Sequence, residues 1–386
     1  MSFYHRLGSL PSKKHTTFYQ EDESLYREEL FSTQGFSGIY SNRYHRHMPT
    51  QILAMEEIKV KKPTLWEQAP LEWALFHTDQ CEKKGNWLES RQLWLSNADC
   101  SISTAKIDRS GDLIYKNAFA HELLFVHRGR GKFRSDFGEL DFSAGDYLVI
   151  PKGCIYTLDV DVSMESKMLI IESKHPFEIP KKFRNEYGQL EEHAPYCERD
   201  FRAPEKLCME KGSEVEVVCK AGDRFYKHRY QHHPFDVVGW DGFEYPFAFS
   251  IKDFSPVVGK IHLPPPVHQV FHAGQFVVCN FVPRLFDFHP KAIPAPYFHS
   301  NVDSDEVIYY VEGDFMSRRG IEEGSISYHP MGLPHGPQPG KTEASIGKKE
   351  TFEYAVMIDT FGPLQRTTDV KKISDLSYPT SWIHND

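Results

Sequence analysis

Several features that mark other protein classes are missing from this sequence of 386 residues. It has no run of about 18 consecutive apolar residues, the length that a membrane-spanning helix needs. Its first residues, MSFYHRLGSLPSKKH, lack the apolar segment of a secretion signal. The seven cysteines are odd in number and form no CxxC pair, which is typical of free thiols in a reducing compartment. We therefore expect a soluble, cytoplasmic protein with no membrane contact.

Three kinds of function are also disfavoured by what is absent. The net charge is -9 and no block of Lys and Arg is present, so we expect no nucleic-acid partner. The phosphate-binding motif GxxxxGK[ST] does not occur, and the GxG string at 129–131 is better interpreted as a turn. GxSxG is absent too, which argues against an esterase.

The residues that are present favour a β-rich fold. The 25 glycines and 25 prolines are spread along the chain, as expected for many short strands joined by turns. A hydrophobic content of 40% is enough for a large core. We predict an all-β protein with a few helices, including one around 76–90. The polar segment 363–386 is predicted to be a tail packed on the surface.

An imperfect internal repeat indicates how the chain is organised. Glu122 precedes Gly129 by the same spacing that separates Glu306 from Gly313. The segments GDYLVIPKGCIY (145–156) and GSISYHPMGLPH (324–335) share their Gly and Pro positions. Each segment predicts a strand, a tight turn and the start of another strand. Two such units predict two related β-barrels, with residues 1–60 as an arm, 61–235 as the first lobe and 236–386 as the second lobe.

The second copy carries metal-binding side chains that the first copy lacks. It contains His299, Glu306 and His335, whereas Tyr156 stands in the first copy where His335 stands in the second. Two imidazoles and one carboxylate on one face can hold a divalent iron and leave positions for O2 and a substrate. We therefore predict one metal site, in the second lobe, and a metal-free first lobe.

The pattern HxN-x4-E-x6-G followed by G-x5-P-x-G-x2-H resembles the two cupin motifs, with Asn301 at the position of the usual second histidine. The stretches FDVVGWDG (235–242), PYFHSN (296–301), DEVIYYVEG (305–313) and GSISYHPMGLPHGP (324–337) narrow the resemblance to the homogentisate 1,2-dioxygenase family. The resemblance is weak over the first hundred residues, and the chain is shorter than the better-known members.

This resemblance implies a bicupin that holds Fe(II) through His299, Glu306 and His335. The implied reaction is cleavage of the homogentisate ring with O2 to give maleylacetoacetate, a step of tyrosine and phenylalanine catabolism. The family assembles as trimers paired into hexamers, so the resemblance also implies a homo-oligomer.

The resemblance assigns roles to further residues. His262 corresponds to the histidine that takes a proton from the substrate hydroxyl. His329 corresponds to a histidine near the iron, and we group it with His335 and Phe315 as substrate-binding. Phe315 stands where the family commonly has a tyrosine that touches the substrate. Either the substrate carboxylate is held in another way, or the substrate is different.

Three alternatives stay open at this point. The protein could be another hydroquinone-type ring dioxygenase, such as one acting on gentisate, a zinc-dependent cupin isomerase, or a metal-binding bicupin without catalysis.

Other histidines and one cysteine are given structural interpretations. We expect His228, His232 and His233 in a polar loop near the active-site mouth, His45 and His47 at a surface or interface, and His268 and Cys279 as structural residues.

Overall fold

The computed structural model describes residues 3–111 and 113–383, and these are built almost entirely from β-strands. Within these residues the single α-helix is Lys341–Ser345. Short 3-10 turns complete the helical content: Gln34–Phe36, Thr78–Gln80, Lys181–Phe183, Glu198–Asp200, Ile251–Asp253, Pro265–His268, Thr368–Lys372 and Tyr378–Thr380. None of the helices in the described ranges is long and apolar enough to cross a bilayer.

Two large sheets form the first lobe. The nine-stranded sheet contains Phe201–Arg202, Phe247–Ser250, Asp146–Ile150, His121–Arg128, Ser166–Ser173, Cys100–Ile107, Gln92–Ser96 and Gln365–Arg366, with Lys84–Gly85 beside Cys100–Ile107. The seven-stranded sheet contains Gly138–Ser143, Arg130–Ser135, Ile155–Val160, Ile114–Asn117, Ser213–Ala221, Arg224–His232 and Ile52–Ile58. All of these neighbours are antiparallel except Lys84–Gly85 on Cys100–Ile107 and Ser213–Ala221 on Ile114–Asn117.

The second lobe is built on a six-stranded antiparallel sheet. Its strands, in order, are Gln269–His272, Phe276–Phe281, Glu353–Thr360, Asp305–Gly313, Ser325–His329 and Ala74–His77. A two-stranded ribbon, Arg284–Leu285 with Glu350–Thr351, lies beside it. The predicted fold class, an all-β bicupin with few helices, is confirmed.

The N-terminal strands of the described residues pair with a strand from the middle of the chain. A four-stranded sheet contains His5–Gly8, Val237–Gly242, Tyr40–His45 and Arg27–Ser32 in that order. Strand pairing also crosses the predicted lobe boundary, because Ala74–His77 joins the sheet of the second lobe and Phe247–Ser250 joins the first. The division into 1–60, 61–235 and 236–386 stays a proposal, and its end points at residues 1 and 386 lie outside the described residues.

Alternation along the central strand of the second lobe separates a core face from a cavity face. Val307 and Tyr309 are fully buried and belong to a hydrophobic cluster that spans both lobes. Glu306, Ile308 and Tyr310, on the opposite face of the strand, line a cavity inside the second lobe. Successive residues of a strand point to opposite sides of the sheet, so a core-facing apolar row places the glutamate on the cavity side.

Polar contacts also join the two lobes across their sheets. The Tyr309 hydroxyl lies 2.6 Å from Nδ1 of His127, and the Tyr147 hydroxyl donates to Oδ1 of Asn280 at 2.5 Å. Each contact links the nine-stranded sheet of the first lobe to the six-stranded sheet of the second. The two lobes therefore pack sheet against sheet.

The repeated turns have the backbone conformation that the repeat predicted. Gly145 and Gly153 of the first copy have φ of 98° and 89°, and Gly324 and Gly332 of the second both have φ of 79°. These values lie in the left-handed region that residues with a side chain rarely adopt. The template is therefore preserved in both lobes by the same backbone requirement.

Two local predictions were wrong. The expected helix around 76–90 is instead the end of a strand, a 3-10 turn at Thr78–Gln80 and the short strand Lys84–Gly85. The described part of the last segment, residues 363–383, is not only a surface tail, because Val370 and Tyr378 are almost fully buried. Residues 384–386 of that prediction lie outside the described residues. In both segments long-range contacts determine the structure, and the local pattern does not report them.

Gly313 provides a test of the backbone requirement. It has φ of 110°, and a Cβ there would clash with the carbonyl oxygen of Phe352. We expect Gly313→Ala to lower the free energy of unfolding by about 3 kcal/mol, since a left-handed conformation and a backbone clash add together. Gly320→Ala is the matched control, because Gly320 has φ of 69° and open space around its Cα. That control should lose only about 1 kcal/mol, and equal losses in urea unfolding would contradict the argument.

Candidate metal centre

Three side chains from distant parts of the second lobe converge on one point. His299, Glu306 and His335 each offer a ligand atom, and these atoms lie within 4.8 Å of one another. Nε2 of His299 is 3.5 Å from one carboxylate oxygen of Glu306, and Nε2 of His335 is 3.4 Å from the other. The structure thus brings together the three residues that the sequence analysis selected as metal ligands.

The backbone fixes the two histidines side by side. The amide of His299 donates to the carbonyl of His335 at 2.9 Å, and the amide of His335 donates back to the carbonyl of His299 at 2.8 Å. The Gly332 amide also donates to the carbonyl oxygen of Asn301 at 2.7 Å. These bonds hold the turn after Ser325–His329 against the loop that precedes Glu306. The spacing of both motifs therefore allows these backbone hydrogen bonds, which together form a backbone clamp between the two histidines.

The hydrogen bonds of the two imidazoles set which nitrogen faces the centre. Nδ1 of His335 lies 3.1 Å from the Leu333 carbonyl oxygen, and Nδ1 of His299 lies 3.4 Å from that of Tyr297. A carbonyl only accepts, so both Nδ1 atoms carry the proton and both Nε2 lone pairs turn towards Glu306. Carbonyl contacts of this kind orient metal-binding histidines.

A divalent metal fits this donor set. Nε2 of His335 is buried and has no hydrogen-bond partner among the described residues. Two imidazole lone pairs and a carboxylate face one another, and electron-rich groups in such an arrangement repel unless a cation lies between them. Nitrogen and oxygen donors of these types are those that non-haem ferrous centres use, with positions left for other ligands. These side chains could therefore hold a divalent metal.

The carboxylate at the centre is ionised although it is buried. Burial by itself raises the pKa of Glu306, but hydrogen bonding to neighbouring imidazoles, including the Nδ1–H of His329, outweighs it and holds this pKa well below its usual range. Asp359 lies directly opposite Glu306 on the neighbouring strand. Burial, together with the charge of Glu306, raises the pKa of Asp359 to about 8. Only one of the two facing carboxyl groups is therefore charged near neutral pH.

His329 lies behind the centre and not on the cavity wall. It is fully buried, and its Nδ1 donates to the Glu306 carboxylate at 2.7 Å while its Nε2 accepts from the Tyr378 hydroxyl at 3.0 Å. Burial is the main cause that lowers the pKa of His329 to about 4, so the ring is neutral. The sequence analysis placed His329 near the metal but missed Tyr378, because nothing in the tail sequence indicates a contact this distant.

The centre opens into a cavity of about 150 Å³ in the second lobe. His299, Glu306, His262 and Phe315 all line it, and His335 does not. Its remaining walls are largely apolar, with Leu263, Phe281, Leu285, Phe286, Ile308, Met316, Ala355 and Met357 among them.

His262 stands at this cavity in a neutral state. Burial is the main cause that lowers the pKa of His262. Its Nδ1 lies 4.0 Å from a carboxylate oxygen of Asp287, and its ring meets the ring of Tyr297 edge to face at 4.9 Å. A neutral imidazole beside the cavity is able to accept a proton from a bound molecule.

Two cavity residues were not found from the sequence. Arg318 and His268 both line the cavity and are almost fully buried. His268 was interpreted as structural, but its Nδ1 has no hydrogen-bond partner within the described residues. Neither lies in a motif with a recognisable spacing, so only the folded chain reveals them.

The first lobe uses its matching glutamate differently. Glu122 accepts from the Tyr156 hydroxyl at 2.8 Å and from Nη1 of Arg91 at 3.0 Å. Tyr115 adds a longer hydroxyl contact at 3.4 Å. A guanidinium and two hydroxyl groups thus surround the carboxylate of Glu122, whereas imidazoles surround that of Glu306. The absence of a metal from the first lobe stays a prediction.

The other histidine pairs meet far from the centre. His45, His47, His232 and His233 line a separate groove of the first lobe, so the expectation that His232 and His233 lie near the active-site mouth was wrong. Strand Arg224–His232 belongs to the seven-stranded sheet, which carries these side chains away from the second lobe. His228 lies on the same strand. Cys279 is buried in the strand Phe276–Phe281, as expected.

Carboxylates and ring stacking occupy the histidines of this groove. His45 contacts Asp236 through Nδ1 at 2.7 Å and Glu29 through Nε2 at 2.9 Å. The rings of His47 and His232 stack with their centres 3.7 Å apart. A histidine with both nitrogens taken by carboxylates has no lone pair left for a metal.

The link from Tyr378 through His329 to Glu306 yields a prediction. We expect Tyr378→Phe to weaken divalent metal binding about tenfold, because loss of the hydroxyl lets the His329 ring change its tautomer and release Glu306. A competitive chelator titration measures the effect. Tyr187→Phe, at a strongly exposed tyrosine, is the control and should bind as the unchanged protein does. Equal metal affinity in all three proteins would show that the link is not needed.

Comparisons with known proteins give the family of the chain. A family model described as "Homogentisate 1,2-dioxygenase N-terminal" matches residues 55–251. A protein of Saccharolobus solfataricus named "Putative dioxygenase SSO1533" is 43% identical over 99% of both chains. The homogentisate 1,2-dioxygenase of Bradyrhizobium diazoefficiens is 27% identical over 68% of this chain and 61% of its own length, and that of Legionella pneumophila is 27% identical over 67% and 62%.

Among solved structures, a cupin 2 conserved barrel domain protein from Leptotrichia buccalis covers 80% of this chain with a TM-score of 0.33 and 11% identity. That similarity is too low to add to the strand pairing described above. The matched part spans about three fifths of the length of the bacterial enzymes. The family model covers half of the chain and the archaeal relative nearly all of it, and on these matches the chain belongs to the homogentisate 1,2-dioxygenase family.

Proposed function

We propose that this protein is an Fe(II)-dependent dioxygenase that cleaves the ring of homogentisate and produces maleylacetoacetate, in tyrosine and phenylalanine catabolism. The observation that carries the proposal is the convergence of His299 with the buried Glu306 and His335 at a point that opens into a largely apolar cavity. Family membership supports the dioxygenase class, and the substrate is our inference. Both atoms of O2 enter the product, so no further reductant is required.

A ferrous ion held by these residues would supply a Lewis acid and a place where O2 and a substrate oxygen meet. The protein's own part is to keep the three donors in place. The reciprocal backbone bonds between His299 and His335 fix the imidazoles, and the bond from His329 fixes the carboxylate. An ionised Glu306 adds negative charge that favours a divalent cation.

His262 is the residue that we assign to proton removal from the substrate. A hydroquinone hydroxyl must lose its proton as it becomes a ligand, and a neutral imidazole with a pKa near working pH suits this task. Burial keeps His262 unprotonated at neutral pH because it lowers the pKa. Asp287, 4.0 Å from Nδ1, stands where it can stabilise the imidazolium that forms.

The cavity walls support an aromatic substrate. Phe281, Phe286 and Phe315 are among the side chains that line it. Apolar walls exclude water from the ring and leave the polar groups of His262 and the triad to orient the hydroxyls. Phe315 cannot donate a hydrogen bond, so a substrate carboxylate needs another partner.

The lack of a hydroxyl on Phe315 also supports a second candidate substrate. Another hydroquinone-type acid, such as gentisate, carries its carboxylate directly on the ring and would place it differently relative to Phe315. A metal-binding bicupin without turnover is the alternative outside the enzymes. Both are outcomes of the experiment below.

We also propose a homo-oligomer, a trimer or a hexamer by family resemblance. The edge strand Ile52–Ile58 supports an assembly, since Leu53 and Met55 on it are 50% and 62% exposed. An exposed apolar edge of a sheet is a place where another chain is able to pack.

Metal analysis after anaerobic purification, combined with oxygen uptake, tests the proposed function. We expect about one iron per chain and O2 consumption equal to the homogentisate supplied, with less uptake on gentisate. Zinc without iron, or no uptake with homogentisate, would overturn the proposal. Uptake with gentisate alone would select the second candidate.

His262→Asn tests the proton step separately. We expect kcat to fall about 100-fold while iron content stays unchanged, because general base catalysis is lost and the three donors are not touched. His272→Asn is the matched control, since His272 lies on the strand Gln269–His272, ten residues further along the chain, and does not line the cavity. An unchanged kcat in His262→Asn would remove His262 from the mechanism.

A further inference from the structure

Arg318 is a buried arginine whose hydrogen bonds leave it incompletely satisfied. Its side chain is almost fully buried, and its Nη1 donates to the carbonyl oxygens of Ser317 and Gly336. Its guanidinium carbon lies 5.6 Å from the centre of the Trp382 ring. Its Nε, in contrast, has no hydrogen-bond partner among the described residues. One donor of a fixed fork is therefore free inside the protein.

The positive charge of Arg318 also lacks a direct counterion. Arg43 and Arg366, the other arginines with comparable burial, lie within 4 Å of carboxylates, as do Arg91 and Arg284. Within residues 3–111 and 113–383 no carboxylate comes that close to Arg318. Buried charges in proteins are normally paired, because an isolated one is costly to remove from water. A buried guanidinium without a carboxylate is therefore suited to receive an anion.

Arg318 lines the cavity into which the candidate metal centre opens. Glu306, His299, His262 and Phe315 line the same cavity. This guanidinium, which has no carboxylate within 4 Å among the described residues, therefore lies at the same cavity as the candidate metal centre and Phe315. A molecule in this cavity is therefore able to contact both the centre and Arg318.

Other cationic side chains lie near Arg318. A second cavity of about 410 Å³ is lined by Arg318 together with Arg319, Lys341, Lys348 and a single acid, Asp314. The protein as a whole carries a net charge of -9, so this is a local reversal of sign. Clustered charges of one sign raise the local concentration of oppositely charged small molecules.

We propose that Arg318 binds the carboxylate of the aromatic acid substrate and thereby selects acids over neutral hydroquinones. The planar guanidinium matches a carboxylate in geometry and charge. It supplies by charge the contact that Phe315 cannot supply by a hydroxyl. The identity of the ring rests on the proposed function, whereas the affinity for a carboxylate rests only on Arg318 and its cavity.

Substrate selectivity gives the first test. We compare kcat/KM for homogentisate and for its methyl ester, which has the same ring and no negative charge, in the unchanged protein and in Arg318→Gln. Glutamine keeps a donor for the Gly336 carbonyl and removes the charge. We expect about a 100-fold loss for the acid and less than about a threefold change for the ester. Arg318→Lys should be intermediate, because charge remains without the fork.

An equal loss for acid and ester would overturn the proposal. Arg318 would then act only through Gly336, the neighbour of His335, and would keep the metal centre in place. Iron content of each variant separates this outcome directly, since a positioning role lowers iron together with both activities.

Equilibrium binding of phenylacetate gives a second test that does not depend on turnover. Phenylacetate carries the carboxylate but no hydroxyl, so its binding is measurable by calorimetry on the full-length protein as purified, without air. We expect Arg318→Gln to weaken binding about tenfold or more. Lys348→Gln, which removes a charge from the second cavity only, should change it less than about twofold.

These results distinguish the two proposals. Phenylacetate binding that depends on Arg318, without oxygen uptake on homogentisate, would keep the carboxylate site and reject the proposed function. Oxygen uptake on homogentisate with the same phenylacetate affinity in Arg318→Gln as in the unchanged protein would keep the function and reject the role of Arg318.

Discussion

The buried carboxylate of Glu306 is the group on which the second lobe is organised. A charge inside a β-barrel is stable only if its surroundings compensate it. His329 donates to this carboxylate, and a cation bound between Glu306, His299 and His335 would complete the compensation. Each imidazole is in turn held by a fixed acceptor or donor: the carbonyls of Tyr297 and Leu333, and the hydroxyl of Tyr378. Strand alternation, the backbone clamp between the histidines and the docking of the tail all position groups around this one carboxylate. The candidate centre is therefore a consequence of how the lobe keeps a charged group in its interior.

The two lobes solve the same problem in different ways. Glu122 occupies the repeat position of Glu306, and a guanidinium from Arg91 with the Tyr156 hydroxyl stabilises it. A protein cation and a bound metal ion are alternative partners for a buried carboxylate, and only the metal leaves positions for O2 and substrate. The two repeat glutamates therefore differ in their partners: Arg91 and Tyr156 contact Glu122, whereas His299 and His335 lie next to Glu306. Sheet-to-sheet packing keeps both lobes in one body.

The sequence predicted the parts of the site that depend on local spacing. The triad could be found because turn glycines and prolines fix the register between Glu306, His335 and the strands that carry them. The fold class followed from the same repeat. Tyr378 and Arg318 could not be predicted from the sequence. Tyr378 acts through a contact with His329, far away along the chain, and Arg318 is notable because it has no carboxylate partner among the described residues. The predicted position of His232 was wrong for the same reason. Adjacent histidines indicate a polar segment, but only strand pairing decides in which lobe that segment lies.

One cavity with largely apolar walls is lined by both the candidate metal centre and the buried guanidinium of Arg318, a combination that suits an aromatic acid. Its geometry depends on the claim that His299, Glu306 and His335 share one iron. Anomalous diffraction on crystals of the anaerobically purified protein, recorded on both sides of the iron absorption edge, tests this most directly. The account predicts one iron peak per chain within bonding distance of both Nε2 atoms and a Glu306 oxygen. An iron peak at another place, or a peak at the triad that persists below the iron edge, would contradict it.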